Sequence, residues 1–293
     1  MSGRTDRVDA WSTVRGSLAR HLPGYETRSV APLGEGLDNV AYEVGGELVV
    51  RASKEPDPVL RAEAVRREAA LLTALSGLST LPVPEPVFAD EEAGILAYTK
   101  LPGLPLFEHP VAEPARLAER LGGFLHALHR APVATMERLV PRDDYSMEEL
   151  LEDAGRDYGE IAAHVPAGLR GRVEEYLGTT PPPAPEVLVF CHNDLGAEHI
   201  LVDPAASVVT GVIDWTDAAV ADPAYDLGLI LRDLGPEVFE LTLTYYEGPF
   251  DAAARARAAF YARCSQLEDI AYGLRHGIRA YVDNGLAALP HVF

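Results

Sequence analysis

The chain has 293 residues, 47% of them apolar and 24% charged, an ordinary globular composition that excludes bulk disorder and fibrous repeats. At roughly 150 residues per domain, that length suits one large domain or two modest ones. The 45 acidic and 25 basic residues give a formal charge of −20, which argues against nucleic acid as a partner and suits a cationic small molecule.

The stretch from Met1 to Arg20 is studded with Arg and Asp and lacks an apolar signal core. No run in the chain approaches the ~20 apolar residues of a membrane span, so a cytoplasmic protein without membrane contact is expected. Trp11, Val14, Leu18 and Leu22 recur at helical spacing, and Pro23-Gly24 ends that helix. Short apolar runs at Val30 to Leu33, Val40 to Val44 and Glu47 to Ala52 predict three antiparallel strands. Gly34-Glu35-Gly36 and Gly45-Gly46 separate them. Pro56 to Pro58 breaks the chain, and Val65, Ala69, Leu72 and Leu75 then mark one face of a helix over Arg61 to Leu75. Leu81 to Pro86 is a stiff extended connector. Val87 to Ala89 and Ile95 to Thr99 read as two further strands.

Leu101-Pro-Gly-Leu-Pro105 divides a strand-rich part, residues 1–100, from a helix-rich part, residues 101–293. Pro114 suits a first helical turn, and Leu117, Leu121, Leu125 and Leu128 make the stripe that follows. Ser146 with Glu149 is a capping box, followed by Leu150, Leu151, Tyr158 and Ile161. Pro181-Pro182-Pro183 closes a third helix. Val187 to Phe190, Ile200 to Val202 and Val208 to Ile213 are strand-like. Asp251 to Gly277 predicts a long helix with a break near Gly273. The two cysteines, Cys191 and Cys264, have neither disulfide nor metal-ligand spacing. His126 and His129 share a helix face, a pattern more common in cores and surfaces than at metals.

The chemistry concentrates in Phe190-Cys-His-Asn-Asp-Leu-Gly-Ala-Glu-His-Ile-Leu-Val-Asp203, a loop between apolar flanks. Asp194 and His199 lie in it, and Asp214 follows at the end of a later strand. Two carboxylates at loop edges with an imidazole between them suit phosphoryl transfer. One orients or deprotonates an attacking hydroxyl; the other, with a neutral donor, holds Mg²⁺ against phosphate oxygens.

His192-Asn-Asp194, His199-Ile-Leu-Val, Gly211-Val-Ile-Asp214-Trp215 and Asp222-Pro-Ala-Tyr-Asp226-Leu together resemble the antibiotic phosphotransferases with a protein-kinase-like fold. The aminoglycoside 2''-phosphotransferases and the macrolide phosphotransferases look closest. The resemblance runs from Leu33 to about Gly277. It implies a two-lobe α+β fold: a small antiparallel-sheet lobe that binds nucleotide, a mainly helical lobe for catalysis and acceptor, and the nucleotide in the cleft between them. It implies Asp194 as catalytic base, His199 and Asp214 as Mg²⁺ ligands, and His192 and Asp226 as structural residues, Asp226 bracing the loop. Asn193 stands where Gly is common in these enzymes and Arg in protein kinases.

Leu33-Gly34-Glu-Gly36-Leu-Asp-Asn39-Val40 resembles the nucleotide loop, whose glycines let backbone N–H groups approach phosphate. Only Lys54 and Lys100 are lysines. The position of the usual phosphate-pairing lysine holds Arg51, which is always charged and can fork onto phosphate oxygens. Glu68 resembles the helix glutamate that pairs with that cation. Ala97, Tyr98, Thr99 and Lys100 look like the hinge whose backbone meets the base of ATP or GTP. Asp217, Glu268, Asp269 and Tyr272 are candidates for binding ammonium groups of the acceptor; Glu268 and Tyr272 are spaced i, i+4. A cationic aminoglycoside fits both the charge and the resemblance. A macrolide and a small metabolite, as for choline or homoserine kinases, stay open as acceptors. So does a different class, a nucleotide-binding pseudokinase acting as sensor or scaffold, although intact Asp194, His199 and Asp214 argue against it. Monomer and homodimer both stay open.

Overall fold

The computed structural model describes residues 3–25, 29–36 and 38–293, which form two compact units, Met1–Pro102 and Gly103–Phe293. Met1, Ser2 and Leu37, parts of two segments read above, lie outside the described residues.

In the first unit α1 (Gly3–His21) precedes β1 (Val30–Glu35), β2 (Asn39–Val44) and β3 (Leu48–Ser53). Then come α2 (Pro58–Leu75), β4 (Pro86–Asp90) and β5 (Ile95–Thr99). The strands make one antiparallel sheet in the order β1-β2-β3-β5-β4. Alternation along the strands builds its core. Val40, Tyr42 and Val44 of β2 and Leu48, Val50 and Ala52 of β3 share a buried face with Val14 and Leu18 of α1. Gly45 and Gly46 join these two strands with φ of 66° and 78°, the left-handed pair that a tight hairpin turn requires. The opposite parity puts Arg51 toward α2. That helix opens with Asp57 accepting the Val59 and Leu60 N–H groups and with Pro58 in its first turn. α1 begins well before Trp11, because its polar early turns carry no apolar period.

The second unit starts with β6 (Leu104–Pro105) and a short 3₁₀ turn, Pro114–Leu117, that runs into α3 (Ala118–His129). α4 (Val133–Met136), α5 (Met147–Ile161) and α6 (Ala167–Leu177) follow. β7 (Val189–Cys191), β8 (Ile200–Asp203), β9 (Val208–Val212) and β10 (Ala219–Ala221) come next, then α7 (Pro223–Tyr245), α8 (Ala252–His276) and α9 (Arg279–Val292). The leucine stripe of α3 is fully buried. The Ser146–Glu149 capping box forms at the start of α5. α8 runs unbroken through Gly273 and stops at Gly277, whose φ is 70°. Gly273 is small for another reason: a Cβ there would lie 2.8–2.9 Å from Tyr281 and Val282 of α9. The expected break is a helix crossing.

Two small sheets carry the loops of interest: β7 pairs with β10, and β6-β8-β9 form a three-stranded ladder. α7 is anchored at its start by Asp222, which caps it and receives Arg257 Nε at 2.5 Å and the Tyr261 hydroxyl at 3.2 Å. Arg257 and Asp222 are 8% and 4% exposed. Removing one partner strands a buried charge, so Arg257→Ala lowers stability by about 3–5 kcal/mol, read from the urea midpoint of the purified chain.

Candidate active site

The loop of residues 192–199 connects β7 to β8, and Asp214 follows β9. The β8–β9 register pairs Ile200 with Val212, so His199 and Ile213 leave the ladder side by side. The Ile213 N–H donates to the His199 carbonyl at 3.0 Å. The His199 N–H donates to the Gly196 carbonyl at 3.0 Å, and His199 Nδ1 donates to the Asp194 carbonyl at 2.8 Å. A carbonyl only accepts, so Nδ1 carries a proton and Nε2 is left for other partners. Nε2 lies 3.8 Å from Asp214 Oδ2, while Nδ1 lies 3.3 Å from Asp194 Oδ2. Three side chains distant in sequence therefore converge.

The backbone is unusual at this spot. Among the described residues, three non-glycines have positive φ, and two of them are here: Asn193 at 64° and Asp214 at 58°. Asn and Asp tolerate the left-handed region better than other non-glycines. This accounts for an asparagine rather than a bulkier residue at position 193.

The side chain of Asp194 is 38% exposed, yet the protein around it raises its pKa to about 6, chiefly by desolvation, against the pull of His199. Burial disfavours the His199 cation, but Asp194, Glu198 and Asp214 outweigh it and its pKa is raised. Acids thus gather around one imidazole, a setting in which a divalent cation would compete with protons.

Asp226 sits beneath the loop, fully buried. It accepts the His192 N–H at 3.0 Å, the Asn193 N–H at 2.8 Å and His129 Nε2 at 3.1 Å. His192 Nε2 donates to the Ile213 carbonyl at 3.0 Å, and burial lowers its pKa to about 4, so the ring is neutral. Cys191 also approaches: its sulfur and ligand atoms of His129 and Asp226 lie within 4.8 Å of one another. The carboxylate oxygens of Asp226 are occupied as above, and His129 Nδ1 meets the Tyr246 hydroxyl at 2.9 Å. That arrangement is a satisfied polar brace rather than an open ligand set.

Of the residues expected to meet an acceptor, Asp217 and Glu268 are exposed. Tyr272 packs its ring 5.3 Å from Tyr281 and 4.2 Å from His276. Tyr281 in turn lies 4.7 Å from Phe107. Arg232 Nη1 binds Asp269 at 2.9 Å, and burial raises the Asp269 pKa against the pull of that cation. Arg232 belongs to α7, which the sequence reading did not identify.

In the first unit Arg51 Nη1 meets Glu68 Oε1 at 2.7 Å. Lys54 bonds the Gly36 carbonyl at 2.7 Å and Glu35 at 2.9 Å, holding the end of β1. The Gly36 N–H donates to the Asn39 carbonyl at 3.0 Å, and Gly34 follows a register slip after Pro32, which has no N–H for the ladder. Ala97 and Tyr98 pair with neighbouring strands on both sides. The Thr99 and Lys100 N–H groups donate to the Glu85 and Glu47 carbonyls at 2.9 and 2.8 Å. Those two N–H groups are therefore committed within this unit.

Among the described residues no helix is long and apolar enough to cross a membrane. The profile of the phosphotransferase enzyme family matches residues 29–261. An aminoglycoside 3'-phosphotransferase of Streptomyces fradiae is 30% identical over 167 residues, covering 53% of this chain and 59% of that relative's length. The structure of aminoglycoside 2'-phosphotransferase-IIIa with GDP superposes with a TM-score of 0.70 at 24% identity, over 94% of this chain and 96% of that one. A macrolide 2'-phosphotransferase from Brachybacterium faecium, an apoenzyme, gives 0.65 at 26% identity over 95% and 98%. These likenesses establish the protein-kinase-like α+β fold. With a matched segment that holds both the Arg51–Glu68 pair and the converging acids and imidazole, the chain belongs to the phosphotransferase enzyme family.

Proposed function

We propose that this phosphotransferase moves the γ-phosphoryl group of ATP or GTP to a hydroxyl of a small molecule, an aminoglycoside first among the candidates. The observation that carries this reading is the convergence of Asp194, His199 and Asp214 at 3.3 and 3.8 Å.

In the reaction the bond from the γ-phosphorus to the β-phosphate oxygen breaks as the acceptor oxygen bonds to phosphorus. The acceptor proton goes to Asp194. Asp194 also fixes the hydroxyl's direction, and positioning of this kind accounts for much of the rate in phosphoryl transfer. The donor set fits a divalent cation, Mg²⁺ in the first instance: Asp214 offers a hard carboxylate, and the Nδ1–H bond of His199 leaves Nε2 as its ligand atom. When bound, that cation neutralises phosphate charge. Asp226 and His192 keep the loop in shape beneath these groups.

In the first unit, Arg51, oriented by Glu68, serves the phosphates, with backbone of Gly34 and Asn39; the Gly36 N–H, donated to the Asn39 carbonyl, holds the turn. The Arg51→Ala variant raises the nucleotide KM about 10–100-fold, the equivalent of a charge-assisted hydrogen bond, and Arg51→Lys recovers part of it. Steady-state kinetics with varied nucleotide measure this.

Asp217 and Glu268 suit ammonium groups of an aminoglycoside, and the relative from Streptomyces fradiae supports that acceptor class. The ring row Phe107, Tyr281 and Tyr272 favours a second reading, a macrolide, because it offers apolar surface. The test is a panel of aminoglycosides, macrolides and small amino alcohols, each with ATP and GTP, read by mass for an added phosphate. Nucleotide binding with no acceptor turnover would instead support a scaffold.

A further inference from the structure

We propose that Asp233, locked by Arg232, is a positioning residue that holds the loop of residues 192–199 so that His199 faces Asp214. The proposal rests on the roles assigned above to Asp194, His199 and Asp214.

His199 has little freedom of its own. Its N–H, its carbonyl and its Nδ1 are all engaged, by Gly196, Ile213 and Asp194. Where the loop backbone sits is therefore where Nε2 sits. The backbone is pinned at Ala197. Its N–H donates to Asp233 Oδ2 at 2.8 Å, and its carbonyl accepts the Phe107 N–H at 3.0 Å.

Asp233 is itself held from rotating. Arg232 Nε and Nη2 grip its two oxygens at 2.6 and 2.9 Å. Nη1 of the same guanidinium reaches Asp269 on α8 at 2.9 Å, and Nη2 lies 3.9 Å from Glu198 in the loop. The Tyr281 hydroxyl of α9 donates to Glu198 at 3.3 Å. Arg232 is only 4% exposed, so these contacts are little weakened by water. The loop presses directly on it: a Cβ at Gly196 would lie 2.8 Å from Nη2. One buried cation thus ties the loop to α7 and α8, and through Glu198 and Tyr281 to α9. Cations and acids tied this way act on a metal site from behind, as hydrogen-bonded partners of ligands do.

The test compares Asp233→Ala with Asp233→Asn, whose amide oxygen still accepts the Ala197 N–H. Two readouts are taken: hydrogen exchange of the Ala197 amide, and Mn²⁺ saturation of the protein with a non-hydrolysable ATP analogue, followed by electron paramagnetic resonance. In Asp233→Ala the amide exchanges faster, the Mn²⁺ half-saturation rises and kcat falls, each about 10–100-fold, while the nucleotide KM changes little. In Asp233→Asn part of the loss is recovered, because the amide oxygen keeps the Ala197 N–H and Arg232 Nη2 while the NH2 gives up the Nε bond. Unchanged exchange and saturation in Asp233→Ala, or equal damage in both variants, overturns the proposal. Should Asp233→Ala not fold, Asp233→Ser, too short to reach the Ala197 N–H, takes its place: faster Ala197 exchange and a raised Mn²⁺ half-saturation relative to Asp233→Asn support the clamp, and equal values in the two overturn it. A wild-type chain that phosphorylates nothing in the acceptor panel defeats the functional reading instead, and Ala197 exchange still reports on the clamp separately.

Discussion

Replacing Asp194 by Asn lowers phosphoryl transfer by about 10²–10⁴-fold, the span of a positioned acid–base group. The change is nearly isosteric. It keeps a hydrogen-bonding side chain beside His199, and the Asp194 carbonyl that receives Nδ1 is untouched. The loop therefore stays as it is, and the loss falls on kcat rather than on either KM. Desolvation has already raised the Asp194 pKa to about 6, which makes it a better proton acceptor than an ordinary surface carboxylate. Single-turnover assays with a saturating acceptor give the number. A variant that transfers phosphate at the wild-type rate would remove Asp194 from the mechanism, whatever acceptor is used.

The features legible in the sequence are those whose cause is local. The Ser146–Glu149 capping box needs four residues, and it forms. The pairing of Arg51 with Glu68, implied by the family resemblance, forms at 2.7 Å. The converging loop was legible because Asp194, His199 and Asp214 stand at strand ends, where side chains gather.

What escaped depends on tertiary packing. α7 is apolar nearly all round from Leu227 to Leu231, all of them buried, so no amphipathic period announces it. Gly235, at a φ of 81°, and Pro236 then interrupt it. With α7 unannounced, Arg232, Asp233 and the contact of Arg232 with Asp269 have no signal in the sequence. α9 carries Gly285 and Pro290, poor helix formers that leave it unannounced; the glycine is explained by packing onto Ile270 and Gln266 of α8. The commitment of the Thr99 and Lys100 N–H groups depends on residues far along the chain and has no signal in the motif itself.

On the proposed role, Asp214→Ala reduces turnover by more than the ~100-fold seen when a supporting partner of a metal ligand is lost, because it removes the proposed ligand itself. The left-handed backbone at this position, with φ of 58°, makes alanine a strained choice, so Asp214→Asn is the companion variant. Asparagine tolerates that conformation and keeps an oxygen donor but lacks the charge. If both variants lose metal response in proportion to donor and charge, strain is not the cause. The pairing with an imidazole sharpens the expectation. Mg²⁺ prefers oxygen donors, whereas Mn²⁺ accepts imidazole more readily. Turnover in the wild-type chain therefore half-saturates at lower Mn²⁺ than Mg²⁺. His199→Asn, which restores an oxygen donor, narrows or reverses that order. Metal titrations of activity in the four proteins, with Mn²⁺ binding read in parallel, decide it. Identical Mn²⁺ and Mg²⁺ behaviour in wild type and His199→Asn would place the cation away from His199 Nε2.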